Sequence, residues 1–244
     1  MSGLPNIVIE SWSAWAPNLT SKDDWIQWAS HPVCPSGTMK LETQAIPPMI
    51  KRRCSQLSKM CLEVAAQATK DQKIDYAVFC SQHGELDHSI SLLQSICQEE
   101  LLSPMSFVQS VHNTASGLYT IIHKMQQNCT SIAAGDSTFL MGMLDAIVWL
   151  QGHPSDQVLV VMGDNYIPEI FTPLKVPNNH QYAVAFLLRR AEVGDRALNA
   201  EFLSNQEISS HSLLLALEFL QWWLGKNNIL LQKGGQQSIR WQQA

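Results

Sequence analysis

Residues 139–150 are apolar nearly all round, and this stretch constrains the fold more than any other feature of the sequence. A helix with apolar residues on every side must be covered on every side. Short apolar runs of the strand type occur before and after it, at Tyr76–Cys80, Cys129–Ala134, Gln157–Met162 and Tyr182–Leu188. Runs without alternation are typical of strands covered on both faces. We therefore predict an α/β fold in which this helix packs on a buried sheet.

The segments between these runs carry apolar residues at helical spacing, which predicts helices. The predicted helices cover residues 47–69, 85–102 and 115–127, and a first short strand covers Asn6–Glu10. The segment 11–35 is rich in tryptophan and proline, and we predict an irregular, packed structure for it.

The chain changes character after residue 190. We predict that residues 1–190 form one domain and that 191–244 form an appendage. The appendage is predicted to hold a polar linker, an amphipathic helix at Ser212–Leu224 and a Gln/Gly-rich tail.

Composition excludes several classes of function. The net charge is −5, and no Lys/Arg tract is long enough to indicate nucleic-acid binding. The longest apolar runs are far shorter than the ~20 residues that a membrane-spanning helix needs. The first residues lack the pattern of a signal peptide, and the six cysteines form no C-x-x-C pair. These features predict free thiols, a cytoplasmic location, no membrane span and no cofactor.

One cluster of residues could be taken for metal ligands. His83, Glu85, Asp87 and His88 are close in sequence, and His83 and Asp87 could share a helical face. Gly84, however, indicates a turn between a strand and a helix, and the spacing matches no known zinc motif. We predict no metal site, with the cluster kept as an alternative.

Seven segments, in this order, resemble the motifs of the β-ketoacyl synthases. They share the order strand, helix, strand, tight turn and buried helix, and they are Asn6–Ile9, Arg52–Met60, Phe79–Glu85, Ser103–Gly117, Ser131–Ser137, Val158–Asp164 and Tyr182–Leu188. The resemblance implies the N-terminal half of a thiolase fold, layered α-β-α, with an extra C-terminal helix. The S-V-H-N and S-Q-H-G-E motifs are similar to those of short synthase-like proteins that accompany type II synthases making aryl polyene pigments.

Gly135 occupies the position at which the family carries its nucleophilic cysteine. Condensation needs a thiolate there, and glycine cannot form an acyl intermediate. Cys129 lies upstream in the preceding strand, and His211 is the one histidine after residue 190, without the family's glycine context. The resemblance therefore implies a chain that is no enzyme on its own. Gly135 could also be the glycine that a strained turn prefers.

The known use of such a chain is a chain length factor, an inactive subunit paired with an active synthase. The resemblance implies a heterodimer with an active β-ketoacyl synthase, a transient complex with an acyl carrier protein, and a strand at 128–133 that pairs across the dimer. The implied tunnel and interface residues are Met105, Phe107, His112, Asn113, Asn128, Cys129, Thr130, Ser131 and Ile132. A weaker prediction assigns carrier docking to Lys51, Arg52 and Arg53.

Simpler explanations exist for each of these residues. Met105 and Phe107 could be ordinary packing residues, and the basic cluster could be a solvated helix face. Ser137 could serve as the nucleophile of a remodelled acyltransferase or hydrolase, although a helix N-cap is the commoner role for such a serine. A homodimeric module that binds acyl chains is the third hypothesis.

Overall fold

The computed structural model describes residues 4–70, 72–174, 179–203 and 213–243. Within these ranges eight strands form one sheet, and their bounds are β1 Ile7–Trp15, β2 Tyr76–Cys80, β3 Asn128–Ile132, β4 Gln157–Asp164, β5 Tyr182–Arg190, β6 Leu198–Leu203, β7 Ile229–Gly234 and β8 Gln237–Gln243. Eight α-helices lie in the same ranges, α1 Lys22–Ser30, α2 Pro48–Lys51, α3 Gln56–Thr69, α4 Leu86–Cys97, α5 Pro104–Ser110, α6 Thr114–His123, α7 Thr138–Gly152 and α8 Leu215–Leu224.

The sheet has the order β3-β2-β4-β5-β1-β6-β8-β7. The first three strands in this order are parallel, and the remaining pairs are antiparallel. The carboxyl ends of β3, β2 and β4 therefore meet at one end of the sheet. In open α/β sheets ligands bind outside the carboxyl ends of parallel strands, so this end is the place to look for a site.

Helices cover both faces of the sheet, as the continuous apolar strands predict. One core packs α1, α7 and α8 on alternate strand residues such as Val78, Val160 and Phe186. The other packs α3 and α6 on the intervening residues, such as Phe79 and Val161. The predicted layered α-β-α fold with an extra C-terminal helix is thus confirmed.

The helix α7 is buried along most of its length, but the prediction that it is covered on every side is only partly right. Val148 is 51% exposed, and Met141, Leu144 and Asp145 are half-buried. These positions follow the three- and four-residue spacing of one helix face. The sheet and α8 cover the rest of α7 and leave this outer stripe open.

Several element bounds differ from the sequence predictions. The predicted helix at 47–69 is two helices, because Ser55 caps a new helix by accepting a hydrogen bond from the Ser58 N–H at 2.8 Å. The segment predicted to be irregular holds the end of β1 and all of α1, which starts at a capping box made by Ser21 and Asp24. The helix α5 was not predicted.

The appendage is more regular than its polar sequence indicates. Besides the predicted helix, the described residues after 190 supply β6, β7 and β8, so the description of a linker and a tail was wrong there. Ser212 and His211 lie outside the described residues. A domain boundary at residue 190 stays a prediction.

The cysteines form no disulfide: Cys54, Cys61 and Cys80 are buried free thiols, whereas Cys97 is exposed. Among the described residues, no helix combines the length and the apolar content that crossing a bilayer requires.

Candidate functional site

The turn between β3 and α7, residues 133–137, is called the elbow here. Its Gly135 has a backbone φ of +56°, in the left-handed region that favours glycine. A Cβ placed on Gly135 would meet no atom within 4 Å. The elbow therefore selects glycine by its backbone conformation, and the space in front of it is open.

Hydrogen bonds from α7 and β7 hold the elbow in place. The Thr138 hydroxyl accepts from the N–H of Ala134 at 2.9 Å and donates to the carbonyl of Gly135 at 2.6 Å. The Ser137 hydroxyl is buried and donates to the carbonyl of Gly234 in β7. Ser137 stands at the N-cap position of α7, as predicted, but its side chain makes no capping hydrogen bond to that helix.

The hairpin formed by β7 and β8 is seated directly on the elbow. A Cβ on Gly234 would lie 2.7 Å from the carbonyl oxygen of Asp136 and 2.9 Å from the Cα of Ser137. Only glycine permits this approach, because real Cβ atoms do not come so close to backbone. The C-terminal hairpin thus forms one wall of the site.

A cavity of about 210 Å³, the elbow cavity, opens beside Gly135. Its mouth is polar and holds Gln82, Asp136 and Lys233, and the Gln82 amide donates to the Asp136 carboxylate at 3.3 Å. Buried side chains of β4, β5, α7, α8 and the residue before α8 also line it, among them Phe139, Met162, Tyr182, Leu214 and Ala216.

Asp164, at the end of β4, holds the loop that follows β2. Its carboxylate accepts hydrogen bonds from the Ser81 hydroxyl at 2.7 Å and from the backbone N–H groups of Gln82 and His83 at 3.2 and 3.0 Å. Burial raises the pKa of Asp164, and these hydrogen bonds oppose the rise. The loop carries Gln82 to the mouth of the elbow cavity.

His112 connects this loop with the loop before α6. Its Nε2–H donates to the carbonyl of Ser81 at 2.8 Å. Its ring lies against Gly84, where a Cβ would be 2.9 Å from the ring carbon Cδ2. The two motifs that the sequence analysis singled out, S-Q-H-G-E and S-V-H-N, are therefore one interlocked unit.

The acidic residues near Gly84 do not build a metal site. Glu85 is turned inward, where its Oε1 accepts hydrogen bonds from the hydroxyls of Ser55 and Ser58, both at 2.7 Å. Asp87 instead accepts a hydrogen bond from Asn165 at 3.0 Å. No group of three or more His, Cys, Asp or Glu side chains within the described ranges could hold a metal ion.

The strand predicted to pair across a dimer, β3, is an edge of the sheet. It pairs with β2 on one side, and no described strand lies on its other side. Its side chains are exposed or half-buried, and the hydroxyl of Ser131 is 2.8 Å from that of Ser116 in α6. An unprotected edge of this kind is a template for another strand.

Beside this edge lies a surface that we call the apolar face. It consists of exposed apolar residues of α4, α5, α6 and the loops on either side of α5, namely Leu93, Ile96, Leu101, Leu102, Met105, Phe107, Val108, Val111 and Ile121. The predicted residue Phe107 is 62% exposed and Met105 is 43% exposed, so neither is an ordinary core residue. Groups of neighbouring exposed apolar residues often mark contacts with other molecules.

A groove of about 280 Å³ runs between α5 and α6 within the apolar face. Met105, Asn113 and Arg53 line it, together with the apolar side chains Val108, Val111, Leu118 and Ile121. His112 does not, because it is turned toward Ser81.

The basic cluster lies at the end of α2. Lys51 donates to the carbonyl of Thr43 at 3.3 Å, whereas Arg52 and Arg53 are exposed. The carbonyl of Arg53 accepts a hydrogen bond from Gln109 of α5 at 2.7 Å, which places the cluster beside the apolar face.

The thiols near the site are poor nucleophiles. Burial raises the pKa of Cys129 to about 11, against which the Ser116 hydrogen bond has a smaller opposite effect. Burial also raises the pKa of Cys61 and of Cys80. Since the thiolate is the reactive form, the raised pKa values disfavour nucleophilic chemistry at these thiols.

Three residues of the site were not found from the sequence: Asp164, Tyr182 and Lys233. Asp164 was seen only as the end of a motif, and Tyr182 as the start of a strand. The Gly234-Gly235 pair between alternating residues is a hairpin signal that could have located Lys233.

Comparison with known proteins confirms the predicted resemblance. The profile of the β-ketoacyl synthase N-terminal domain matches residues 25–242. None of the curated proteins compared with the sequence matches it. The fold is similar to that of a chain in the structure of the ketosynthase ApeO in complex with its chain length factor ApeC from Xenorhabdus doucetiae, with a TM-score of 0.85 and 29% identity. That match covers 97% of this chain and 99% of the other.

Two more distant structures share the fold. The ishigamide ketosynthase/chain length factor has a TM-score of 0.65 at 18% identity, covering 82% of this chain and 67% of the other. The type II polyketide synthase complex AntDE:AntF, an acyl carrier protein with its ketosynthase bound to the hexaketide, has a TM-score of 0.65 at 9% identity. That match covers 82% of this chain and 70% of the other.

Proposed function

We propose, from the premise that this chain belongs to the β-ketoacyl synthase N-terminal domain family, that it is a non-catalytic chain length factor. In this proposal it pairs with an active β-ketoacyl-acyl carrier protein synthase in type II polyketide biosynthesis and shapes the acyl tunnel. The resemblance implies an aryl polyene as the product, and the predicted cytoplasmic location fits this pathway.

The observation that carries the proposal is the glycine at the elbow. A condensing enzyme needs a thiolate at the N-terminus of the central helix. At this position the chain has Gly135, which has a left-handed backbone and open space in front of it. None of the described residues that line the elbow cavity is a cysteine.

The relative at 29% identity supports the same assignment. Its structure contains a ketosynthase and a chain length factor, and the matching chain is nearly as long as this one. The fold similarity to the ishigamide ketosynthase/chain length factor agrees with it.

The exposed surface supports a partner of similar fold. The β3 edge offers backbone hydrogen bonds, and the adjoining apolar face offers area that water solvates poorly. We assign the synthase to this combined surface, with Asn128, Thr130 and Ser131 on the strand and Phe107 on α5 among its contacts.

The groove between α5 and α6 supports the role in shaping the tunnel. Its volume of about 280 Å³ and its apolar lining suit part of an alkyl or polyene chain. In the proposal Met105 and Asn113 lie at the tunnel wall, whereas His112 positions the loop through Ser81. Arg52 and Arg53 are exposed beside it and would attract an acidic carrier protein.

The rival hypothesis, that the chain is an enzyme, requires Ser137 as the nucleophile. The hydrogen bonding of Ser137 argues against this role. The Ser137 hydroxyl is buried and donates its hydrogen to the carbonyl of Gly234. An activated serine instead donates to a base such as histidine. The histidines His83 and His112 are not hydrogen-bonded to it in the part of the chain that the structure describes.

The proposal is tested by co-expressing the tagged chain with candidate ketosynthases from its own genome, followed by size exclusion. We expect a one-to-one complex whose formation increases the yield of soluble chain. A well-behaved monomer or homodimer that ignores every synthase would contradict the proposal, and a homodimer would favour the acyl-binding module.

A second assay separates the subunit from the rival enzyme. The complex, supplied with a malonyl-loaded carrier, should lose all elongation when the nucleophile of the synthase is alkylated, and should keep it in a Ser137→Ala variant. Ser13→Ala serves as a control for the loss of a buried hydroxyl, since Ser13 donates to Gln67 at 2.8 Å and lies in β1, outside the proposed interface. If the chain alone elongated the substrate, or if Ser137→Ala abolished turnover of a thioester, the enzyme hypothesis would replace ours.

A further inference from the structure

The central helix α7 has one face that the described part of the chain leaves open. We call this face the α7 stripe, and it consists of Met141, Leu144, Asp145 and Val148. Val148 is 51% exposed, and the other three residues are half-buried. We propose that the α7 stripe is a second contact surface for the synthase, on the opposite face of the sheet from the apolar face. It rests on the proposed function, since the partner is the same.

The composition of α7 indicates that the α7 stripe is covered in the assembled protein. From residue 139 to residue 150 the helix has one polar side chain, that of Asp145. This carboxylate is already engaged within the chain, because it accepts a hydrogen bond from the Tyr76 hydroxyl at 2.6 Å. A surface helix carries charged or polar residues on the face that meets water, whereas a helix that is apolar all round is buried. The α7 stripe therefore has the composition of a buried face.

The α7 stripe borders the strand to which a partner strand would be added. Tyr76, which binds Asp145, pairs in β2 with Asn128, the first residue of β3. At the other end of β3, Ile132 is partly buried and packs against the same core as Met141. The helix α7 also contacts β3 directly. A partner strand beside β3 would therefore lie within reach of the α7 stripe.

The opposite face of β3 is bordered by α6. The Ser131 hydroxyl is 2.8 Å from that of Ser116 in this helix, and the same helix carries Ile121 of the apolar face. Successive side chains of a strand point to opposite faces of the sheet. A strand added to β3 would thus direct alternate side chains toward α7 and the others toward α6. The partner that fits is a layered α/β subunit whose edge strand is apolar on both faces.

The first test is a titration of the purified synthase with charge variants of the full chain. Val148→Asp places a carboxylate on the α7 stripe, and we expect the affinity to fall about tenfold or more. Ile26→Asp is the matched control, because Ile26 is a β-branched side chain of another helix, α1, and is 53% exposed. The control should bind like the wild type. A Val148→Asp variant that binds like the control would overturn the proposal.

The second test is a footprint that remains valid if Val148→Asp disturbs the fold. Val148→Cys and Ile26→Cys each place a thiol at an exposed position, and its alkylation is followed by mass spectrometry in the free chain and in the complex. We expect complex formation to slow alkylation at position 148 about tenfold or more and to leave position 26 unchanged, because the interior of an interface excludes water. An unchanged rate at position 148, or equal protection at both positions, would exclude the α7 stripe as a contact.

The outcomes distinguish the α7 stripe from the proposed function. If the complex forms and Phe107→Asp weakens it while Val148→Asp does not, the synthase remains the partner and the α7 stripe alone is excluded. If the wild-type chain binds no synthase at all, the proposed function fails, and the assignment of the α7 stripe to this partner fails with it.

Discussion

The two edge strands of the sheet, β3 and β7, differ in how well they are protected from pairing with another strand. The edge strand β3 carries no charged residue and lies beside exposed apolar helices. At the other edge, β7 carries Lys233, and its tip accepts a hydrogen bond from the elbow. Natural edge strands are commonly protected by lysine or by covering elements. The β7 edge is thus protected by residues of the same chain, whereas the β3 edge is unprotected and available to another protein.

The largest effect is expected from blocking the β3 edge. The carbonyl of Ile132 accepts from Ser81 at 3.2 Å, so the backbone of the neighbouring Ser131 points away from β2. Ser131→Pro removes an outward N–H and leaves the pairing with β2 intact. We expect it to weaken the complex with the synthase more than about tenfold in a pull-down titration, since strand addition depends on such groups.

The matched control for that experiment is Ser131→Ala. It removes the same hydroxyl, which is 2.8 Å from that of Ser116, but keeps the N–H. We expect near-normal binding. If alanine weakened the complex as much as proline, the edge would not be used as a strand template.

A charge on the apolar face should also weaken the complex. Phe107 is 62% exposed on α5, and Phe107→Asp would place a carboxylate in the proposed interface. We expect a loss of about tenfold or more in affinity, because aromatic residues at an interface often dominate binding. Ile170→Asp is the control, since Ile170 is 63% exposed and lies outside the apolar face. Equal losses from both variants would exclude the apolar face as the interface.

The close contact between the β7–β8 hairpin and the elbow can be tested by adding one methyl group at Gly234. In Gly234→Ala the Cβ would lie 2.7 Å from the carbonyl oxygen of Asp136, so the hairpin must shift. We expect the free energy of unfolding to fall by about 1–3 kcal/mol in urea denaturation.

Gly152→Ala, at the end of α7, is the matched control for this glycine. A Cβ there would meet no atom within 4 Å, and alanine restricts the unfolded chain. Stability should be unchanged or slightly raised. A neutral Gly234→Ala variant would show that the hairpin does not rest on the elbow.

The smallest expected effect concerns Glu85, which joins α3 to the start of the apolar face. Burial raises its pKa, hydrogen bonds from Ser55 and Ser58 oppose the rise, and His88 and Asp87 have smaller, opposite effects. The folded state then holds the proton more tightly than the unfolded state, so stability is greater at low pH and is lost as the pH rises through the folded pKa.

Glu85→Gln should therefore flatten part of the fall in unfolding free energy as the pH rises above the ordinary glutamate pKa of about 4.3. Asp164, whose pKa burial also raises, titrates equally in both proteins and cancels in the difference. A variant whose pH profile is parallel to that of the wild type would show that Glu85 keeps an ordinary pKa.

Much of the sheet could be predicted from the sequence, because short continuous apolar runs such as Val158–Met162 are typical of buried strands. The strands of the β7–β8 hairpin could not be predicted from the sequence in the same way. Its strands mix glutamine, lysine and arginine with leucine and tryptophan, since only one face of it packs on the core. The helix α5 was missed because its apolar residues are exposed and follow no core-facing pattern.

The turn at Gly135–Ser137 could be predicted from the sequence, because the order of strand, turn and helix is local information, although β3 ends at Ile132, before the predicted end. The contacts around it join distant segments, as in the hydrogen bond from Ser137 to Gly234, 97 positions apart. Periodicity cannot reveal such pairs. The hydrogen bond from Ser137 to Gly234 was therefore not predicted, and Tyr182 and Lys233 were not recognised as parts of one cavity.

The pairing of β1 with β5 also dictates when the fold can be completed during synthesis. Ile7 pairs with Arg190, so β1 has no partner strand in the sheet until β5 has been translated. At typical translation rates this interval lasts roughly 10–40 s. The strands β2 and β3 are made much earlier and pair with each other. If the synthase contacts the β3 edge as proposed, this edge is translated before the sheet can be completed.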